Sequence, residues 1–523
     1  MLRGNNMDQG EFIDKMVADM YILAQDSKYG FARFVSSWGR SGSEVYNDKL
    51  TNFIRTLRIF AKDCGIKSYN DDFYYFNGKV YEKVGKVAVC QAYDILMEQL
   101  GIASIMMNRS VRNEVFLKTI LTFCQLKPRR DLQCFSNVVV DLKKCGKKDV
   151  KCTHRFDKAW PVIEYHNYPF KPDAKAPIFK RFLNQVLPDK TQRSILQMFL
   201  GLGLIQNVDA VEEMSSRPRG TVDLCLVLLG SGANGKSVLF NIVCALFGKS
   251  HVTSLDYDTI ASDGDEGLRG RAAIRSATFN WSSDSDARTF AKKNNGVFKE
   301  ICSGEDYTYR LLRHDIQHSK SCPYLVFSFN QLPTITEDGG MLRRLQFVNF
   351  DVTIPRFKQD PLLAYKIIKN ELPGVFQWVL RGSMEIRRRH FMFPSSDASL
   401  KAKVRGLLPA SPVYSWMLAY SLRSEPNAPT EIAAIIKSDV MYQCFKNFME
   451  NNNQQPIPTF NSFSRALTNL RFQRKRMADG VYYTCYGCVE DQLRTPVLLE
   501  LLHEPDDVSS RYDKDKDSFI KDD

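Results

Sequence analysis

The sequence lacks the features that mark membrane-spanning and secreted proteins. It contains no run of 18 or more apolar residues, which predicts that no helix of the chain crosses a membrane. The stretch Met1–Gln25 mixes acidic, polar and apolar residues and has no apolar signal-peptide core. We therefore expect a cytoplasmic protein that has no membrane partner.

Cysteine occurs 13 times, but its distribution lacks the pattern of a disulfide framework or a zinc finger. The cysteines are scattered through apolar stretches, as is typical of buried reduced thiols. Cys485 and Cys488 form a lone C-x-x-C, and Cys145, Cys152 and His154 lie close together in a lysine-rich segment. A lone pair is a weak metal signal, so structural thiols are favoured over zinc at both places.

What the sequence has in excess is positive charge. Lys and Arg number 72 against 59 Asp and Glu, which gives a formal net charge of +13. This balance favours a polyanionic partner, with nucleic acid ahead of an anionic membrane, and ordinary solubilising charge is the alternative. The length allows about three or four domains, and an apolar fraction of 44% allows them sizeable cores.

The most informative motif is a glycine-rich loop between a predicted strand and a predicted helix. An apolar run over 222–229 precedes the sequence G-S-G-A-N-G-K-S, and helically spaced apolar residues follow it. In this context the pattern G-x-x-x-x-G-K-[ST] predicts a P-loop, whose backbone N–H groups surround a phosphate. Lys236 would reach the β- and γ-phosphates, and Ser237 would offer its hydroxyl to Mg²⁺. The predicted nucleotide-binding residues are Gly230, Ser231, Gly232, Ala233, Asn234, Gly235, Lys236 and Ser237.

Polar residues around the following predicted strands complete the candidate catalytic set. Two aspartates follow the strand 274–281, where a carboxylate can hold Mg²⁺ and orient water, and solvated loop aspartates are the alternative. An amide follows the strand 323–329 and can orient the attacking water, although a turn asparagine is the commoner case. Paired arginines before the next apolar strand are candidate arginine fingers. The predicted catalytic residues are Lys236, Asp284, Asp286, Asn330, Arg343 and Arg344, with Ser237 and Asp284 as metal ligands.

Together these motifs resemble superfamily 3 helicases, in particular the phage and plasmid primases and the poxvirus-type primase-helicases. The resemblance covers about residues 69–490 and includes the stretch K-E-I-C-S-G-E from Lys299, a strand ending in N-x-x-P, and R-R before a final strand. Val138 stands where the family usually has glycine, and the acidic motif has aspartate where glutamate is more frequent. Further stretches similar to family motifs are Phe135–Leu142, Phe199–Gly201, Glu371–Gly374 with Trp378 and Gly382, and Phe448–Tyr483.

The resemblance implies a DNA motor that uses ATP and Mg²⁺. It assigns Asn330 as a sensor of the nucleotide, and Arg344 or Arg343 as the finger that acts on the nucleotide of a neighbouring subunit. A finger supplied in trans implies a ring, expected to be a hexamer, on single-stranded and forked DNA, with a separate primase or polymerase as a further partner. The segment Lys299–His314 resembles the family's DNA-gripping hairpin. Its implied DNA-binding residues are Lys299, Arg310, Arg313 and His314.

The fold prediction is an α/β protein with a P-loop NTPase (AAA+-like) three-layer core, an α+β N-terminal region and a C-terminal winged-helix-like domain. The predicted domains are a helical N-terminal region 1–68, an α+β domain 69–208, the ATPase core 209–352, a helical extension 353–405, a linker 406–430, the winged-helix-like domain 431–490 and a charged tail 491–523, expected to be disordered. Basic residues of the last folded domain can hold duplex DNA, although a solvated basic face is nearly as good an interpretation. They are Arg465, Arg471, Arg474, Lys475 and Arg476.

Local signals predict several elements outside the core. They are a hairpin over 73–81, a short strand over 134–142, helices over 178–186 and 194–201 with Asp189 as an N-cap before the second, a helix over 361–389, and a connection over 393–427 with a helical piece near 414–420.

Three functions are consistent with this pattern. The leading hypothesis is an ATP-dependent helicase for DNA replication of a phage, virus or mobile element, acting in the host cytoplasm. The second is an initiator or loader that uses ATP only as an assembly switch, and the third is a nucleotide-regulated structural or packaging protein. Residues 1–68 show no acidic metal pair in a strand and no zinc cluster, so we expect no primase activity from this chain.

Overall fold

The computed structural model describes most of the chain and divides it into two compact units. The first unit comprises residues 1–174 with 246–248, and the second comprises 175–245 with 249–523. Among the helices of the described part, none has the length and apolar character needed to cross a membrane. The described residues are 9–29, 31, 43–69, 71–102, 109–129, 132–142, 153–205, 222–283, 285, 290, 295–319, 322–335, 339–426, 431–487 and 493.

The first unit begins with helices around a three-stranded antiparallel sheet in the order β1-β2-β3. Apolar side chains from the helices and the sheet form one core, in which Phe12 contacts Tyr75 edge-to-face at 5.5 Å between ring centroids. The pairing of β2 with β3 confirms the hairpin predicted over 73–81. The elements are α1 Gln9–Ala24, α2 Ser43–Asp63, β1 Ile66–Tyr69, β2 Asp72–Phe76, β3 Tyr81–Val84, α3 Lys86–Gln99 and α4 Arg109–Phe123.

A second, four-stranded sheet in this unit corrects one prediction. The stretch 134–142 was predicted as one strand, but it contributes to two antiparallel strands of a hairpin. A turn at Ser136–Val138 separates them, with the Phe135 N–H donating to the Val138 carbonyl at 2.8 Å, and an asparagine in an apolar run favours such a turn. The strands are β4 Leu132–Phe135, β5 Val139–Asp141, β6 Thr153–His154 and β7 Tyr165–His166, in the order β6-β5-β4-β7.

The second unit begins with two helices, α5 Pro177–Val186 and α6 Lys190–Leu202, that pack against the long helix α12 Leu363–Arg388. The Asp189 side chain accepts a hydrogen bond from the Thr191 N–H at 2.7 Å, which confirms the predicted N-cap. The helix begins at Lys190, four residues before the predicted start. An N-cap side chain bonds an N–H two or three residues later, so the helix begins directly after Asp189.

The centre of the second unit is a five-stranded parallel sheet in the order β14-β8-β13-β10-β9. This is the mixed α/β fold that the sequence predicts, and it is consistent with an α/β nucleotide-binding fold. The strand predicted from Ile274 begins instead at Phe279, because 272–276 form turns after a short helix. The strands are β8 Cys225–Leu229, β9 Val252–Thr253, β10 Phe279–Ser282, β13 Tyr324–Phe329 and β14 Leu345–Asn349.

Helices and one hairpin connect these parallel strands. The helices are α7 Lys236–Phe247, α8 Tyr257–Ala261, α9 Asp265–Arg271, α10 Gly296–Ser303 and α11 Gly339–Arg344. The hairpin consists of β11 Tyr307–Arg310 and β12 Ile316–Ser319, which pair only with each other. Short 3₁₀ turns occur at Lys249–His251 and Arg356–Lys358.

The C-terminal part of the second unit combines helices with a three-stranded antiparallel sheet in the order β15-β17-β16. Trp416 is buried there between Phe445 and Phe463. The stretch 393–427, predicted as a connection with one helical piece, contains two helices. The elements are α13 Asp397–Leu407, α14 Pro412–Ala419, β15 Ala434–Lys437, α15 Ser438–Asn451, α16 Phe460–Asn469, β16 Gln473–Met477 and β17 Gly480–Cys485.

Candidate nucleotide and DNA sites

The loop between β8 and α7, residues 230–235, contains three residues with positive φ. Gly232 has a φ of +108°, Ala233 of +50° and Gly235 of +88°. Glycine adopts such angles freely, whereas a non-glycine residue such as Ala233 is strained there, and strain of this kind concentrates at ligand-binding sites. The loop leads directly into the N-terminus of α7, where helix N–H groups carry partial positive charge. Loop and helix together form a surface that suits an anion.

Hydrogen bonds from neighbouring segments hold this loop in place. The Gly230 N–H donates to the Phe329 carbonyl at 3.1 Å, and the Phe350 N–H donates to the last carbonyl of β8 at 2.6 Å. The Ile354 N–H donates to the Ala233 carbonyl at 2.9 Å. The end of β13 and the segment that follows β14 therefore hold the loop in place.

Helix α5 packs against the loop. A Cβ placed at Gly235 would lie 2.7 Å from the ring of Phe182 and 3.0 Å from Val186, so glycine is needed for this approach. The buried carboxylate of Glu371, from α12, accepts two backbone N–H groups in the first turn of α5, each at 2.9 Å. Glu371 thus fixes the end of the helix that supports the loop.

The Lys236 side chain is buried and its ammonium group lies among oxygen atoms at the carboxyl edge of the sheet. Its Nζ donates to the Gly230 carbonyl, to the Phe329 carbonyl at 3.3 Å and to Asn330 Oδ1 at 3.3 Å. Ser237, in contrast, is exposed on the first turn of α7. The structure therefore brings together Lys236 and Asn330, two residues predicted from separate motifs.

The acidic candidates come after β10 in the sequence. Asp284 and Asp286 lie outside the described residues. Their neighbour Ser285 is described, and its N–H donates to the Ser328 carbonyl of β13 at 2.9 Å. The chain after β10 therefore contacts β13 at Ser328, two residues before Asn330.

Arg343 and Arg344 lie at the opposite edge of the sheet from Lys236. They immediately precede β14, whose first residue pairs with the first residue of β8, while the loop follows the last residue of β8. Five residues of strand at about 3.3 Å each separate the two edges by roughly 16 Å. An arginine at this edge therefore cannot serve the loop of its own chain without a large rearrangement.

The two arginines have different surroundings. Arg344 is buried, and its guanidinium donates to the Ser303 hydroxyl at 2.6 Å and pairs with Asp223 at 3.4 Å. The Arg343 side chain is 64% exposed and pairs with the same carboxylate at 3.0 Å. Of the two, Arg343 has the exposure that contact with another molecule requires. The sequence analysis missed the pairing role of Asp223, since nothing local connects it to residues 120 positions later.

The β11–β12 hairpin carries three of the four DNA-binding candidates. Arg313 and His314 are exposed in its turn, where Arg313 has a φ of +61°, and Leu312 beside them is 72% exposed. Arg310 stabilises the turn, because its Nε donates to the His314 carbonyl at 2.9 Å and its Nη1 pairs with Asp265 at 3.2 Å. Arg313 and His314 therefore present the free tip of this hairpin.

Arg271 was not singled out from the sequence, and Lys299 differs from what the sequence suggested. Arg271 is buried and anchors the base of the hairpin, since its Nε donates to the Thr308 carbonyl at 2.8 Å and its Nη1 to the Ser262 carbonyl at 2.6 Å. Burial lowers the pKa of its guanidinium. Lys299 was placed within the hairpin segment, but it lies half-buried on helix α10, because the helical pattern continues to Ser303.

The described residues contain no cluster of three or more His, Cys, Asp or Glu that could hold a metal ion. The ten described cysteines are free thiols, and nine of them are buried. Cys145, Cys152 and Cys488, from the two arrangements tested as zinc sites, lie outside the described residues.

Comparisons with known proteins give structural neighbours alone. No protein-family model matches the chain, and no curated protein matches it. An A-form apo structure of the NrS-1 C-terminal region has a TM-score of 0.42 and 11% identity, covering 78% of this chain and 84% of that one. A second A-form apo structure of that region has a TM-score of 0.40 and 12% identity, and the match covers 83% of this chain and 99% of that one. A further apo structure of the NrS-1 C-terminal region has a TM-score of 0.39 and 10% identity, and the match covers 83% of this chain and 98% of that one. TM-scores below 0.5 at these identities leave the function to be argued from the residues.

Proposed function

We propose that this chain is an ATP-dependent DNA helicase of superfamily 3 that acts in DNA replication of a phage, virus or mobile element. The position of Lys236 carries this proposal. Its ammonium group lies between a glycine-rich loop and Asn330 at the carboxyl edge of a parallel sheet, the edge at which open α/β sheets bind ligands. The strand order, with the loop after β8 between β14 and β13, supports an AAA+-like P-loop core.

The residues at this edge fit a nucleoside triphosphate with Mg²⁺. When bound, ATP with Mg²⁺ supplies the phosphoanhydride bond whose hydrolysis drives the motor. The loop N–H groups bind phosphate oxygens, and the Lys236 ammonium exchanges its carbonyl partners for them. The exposed Ser237 hydroxyl is available to Mg²⁺. Asn330 would orient the attacking water, and Asp284 or Asp286 would hold the metal.

The position of Arg343 and Arg344, at the sheet edge opposite the loop, implies that the active unit is an assembly of several copies. Because Arg343 lies on the sheet edge opposite the loop and is exposed, it acts on the nucleotide held by a neighbouring copy. Arg344, buried against Ser303 and Asp223, positions this edge. Such head-to-tail contacts close into a ring, here a hexamer.

The hairpin supplies the contact with single-stranded DNA. Its exposed Arg313 and His314 bind backbone phosphates, and Arg271 couples the base of the hairpin to α8 and α9. The C-terminal part serves as a winged-helix-like domain, whose exposed edge strand β16 presents basic side chains to duplex phosphates. Forked DNA is then the substrate, and a separate primase or polymerase supplies synthesis.

A second candidate is an initiator or loader that binds ATP without steady turnover. The aspartate in the acidic motif favours it, because the shorter side chain reaches less far than the more frequent glutamate. Steady-state ATP hydrolysis with and without single-stranded DNA distinguishes the two, together with strand separation on a forked duplex. Lys236→Ala is the test variant, and Lys249→Ala, an exposed lysine just beyond the far end of α7, is the matched control.

DNA-stimulated hydrolysis and strand separation, both lost in Lys236→Ala and kept in Lys249→Ala, are the expected results for a motor. ATP-dependent assembly on DNA without turnover would replace the helicase by the initiator or loader.

A further inference from the structure

The segment that follows β14 runs beside the glycine-rich loop. Its Phe350 N–H bonds the end of β8, and its Ile354 N–H bonds the Ala233 carbonyl at 2.9 Å. A Cβ on Gly230 would lie 2.6 Å from the Phe350 carbonyl, which shows how closely the two segments approach. Residues 350–354 therefore form one wall of the proposed nucleotide site.

An aromatic side chain follows this wall and is left in solvent. Phe357 lies in the 3₁₀ turn Arg356–Lys358 and is 84% exposed. The turn is closed by the Lys358 N–H, which donates to the Pro355 carbonyl at 2.8 Å. A phenyl ring has only two side-chain torsions, so stacking it on a flat partner costs little conformational entropy.

The position and chemistry of this ring suit a nucleobase. Phe357 comes three residues after Ile354, and three extended residues span roughly 10 Å at most, so the ring lies within the length of a nucleotide whose phosphates occupy the loop. Every nucleobase has a π-face that stacks on an aromatic ring, and nearby cations favour such sites. Arg356 and Lys358 flank the ring in sequence, and Lys358 Nζ lies 5.9 Å from its centroid.

We propose that Phe357 is the stacking platform for the base of the nucleoside triphosphate held by the Gly230–Ser237 loop. This inference rests on the proposed function and adds a base subsite to it. The loop and Lys236 recognise phosphate alone, which every nucleotide shares. Phe357 gives the chain affinity for a nucleotide above its affinity for the bare triphosphate.

The test compares two ligands on the full-length chain, MgATP and magnesium tripolyphosphate, which has the phosphates without the base. Phe357→Ala should weaken MgATP binding about 5- to 100-fold, the range that one lost aromatic–base stack gives. Tripolyphosphate binding should stay unchanged. Phe357→Trp should keep or strengthen MgATP binding, and Leu362→Ala, another exposed apolar side chain in the next segment, should change neither affinity.

Three outcomes would overturn the platform. Unchanged MgATP affinity in Phe357→Ala would mean that the ring does not contact the base and instead serves a contact with a second copy of the chain. Equal weakening of both ligands would mean that the variant disturbs the loop itself. Failure of the wild-type chain to bind either ligand would overturn the proposed function and the platform with it, so the two failures are distinguishable.

Discussion

Gly232 and Gly235 have similar backbone conformations in the loop but different surroundings. Both have positive φ, yet a Cβ on Gly232 meets nothing within 4 Å, whereas one on Gly235 lies 2.7 Å from Phe182. Gly232→Ala should therefore lower the free energy of unfolding by about 1–2 kcal/mol through backbone strain alone. Gly235→Ala should add about 1–3 kcal/mol for overpacking. Urea denaturation of both variants measures the difference, and equal values would contradict the packing of α5 against the loop.

Arg343 and Arg344 are expected to have different roles, Arg343 in function and Arg344 in stability. Arg344→Ala removes a buried hydrogen bond to Ser303 and an ion pair with Asp223, and it should lower the free energy of unfolding by about 1–3 kcal/mol. Arg343→Ala removes an exposed pair, should change stability by less than about 1 kcal/mol, and should lower ATP turnover by about 10³-fold or more.

Urea denaturation and ATP turnover, measured on both arginine variants, check this division. Adding Lys236→Ala chains, which keep the arginine, should restore part of the turnover of Arg343→Ala chains. Wild-type turnover in Arg343→Ala would remove this residue from the catalytic site.

At this scale the sequence predicted which residues meet at the loop, because the G-x-x-x-x-G-K-S pattern and the ends of β-strands are local signals. Lys236 and Asn330 lie 3.3 Å apart as a result of two such signals. The burial of Arg344 could not be predicted, because it depends on Asp223 and Ser303, which are distant in sequence.

At the scale of elements, the contact between α5 and α12 depends on one buried carboxylate. Glu371 accepts the N–H groups of Ile178 and Phe179, and Glu371→Gln would turn an amide NH₂ toward one of these donors. We expect a loss of about 1–3 kcal/mol in the free energy of unfolding. The control is Glu385→Gln on the same helix, an exposed pair with Arg388, which should cost less than about 1 kcal/mol.

Urea denaturation measures both glutamate variants, and similar losses would show that Glu371 does not fix α5. Since α5 supports Gly235, MgATP binding should also weaken in Glu371→Gln and not in Glu385→Gln.

Element boundaries show where local patterns are sufficient. The helix over 178–186 and the hairpin over 73–81 were predicted closely, because each has a strong periodicity or turn signal. The run 134–142 was predicted as one strand because its short turn is flanked on both sides by apolar residues. The motif around Glu371 was noticed without a role, since its partners lie more than 190 residues earlier.

At the scale of the whole molecule, the central claim is a motor that couples nucleotide and DNA sites. If the hairpin tip contacts DNA phosphates, Arg313→Ala should lower the slope of log affinity against log salt by about 0.7 for single strands. Arg388→Ala, an exposed arginine on α12 already paired with Glu385, should leave the slope unchanged. Titration of a labelled oligonucleotide at several salt concentrations measures the slopes. A wild-type slope in Arg313→Ala would remove the hairpin tip from the DNA site.

The sequence predicted the parallel α/β sheet from alternating strands and helices, but it could not predict the order β14-β8-β13-β10-β9. That order is set by long-range packing, and it places the arginines and the loop on opposite edges. This opposite placement favours a contact between copies of the chain, which the sequence implied only through the resemblance.

The most direct measurement is the equilibrium binding of MgATP to the wild-type chain, to Lys236→Ala and to Lys249→Ala. The account predicts binding by the wild type and by Lys249→Ala, and at least about tenfold weaker binding by Lys236→Ala, because a charged hydrogen-bond partner of the phosphates is lost. Equal affinity of Lys236→Ala and the wild type would contradict the assignment of the Gly230–Ser237 loop as the nucleotide site.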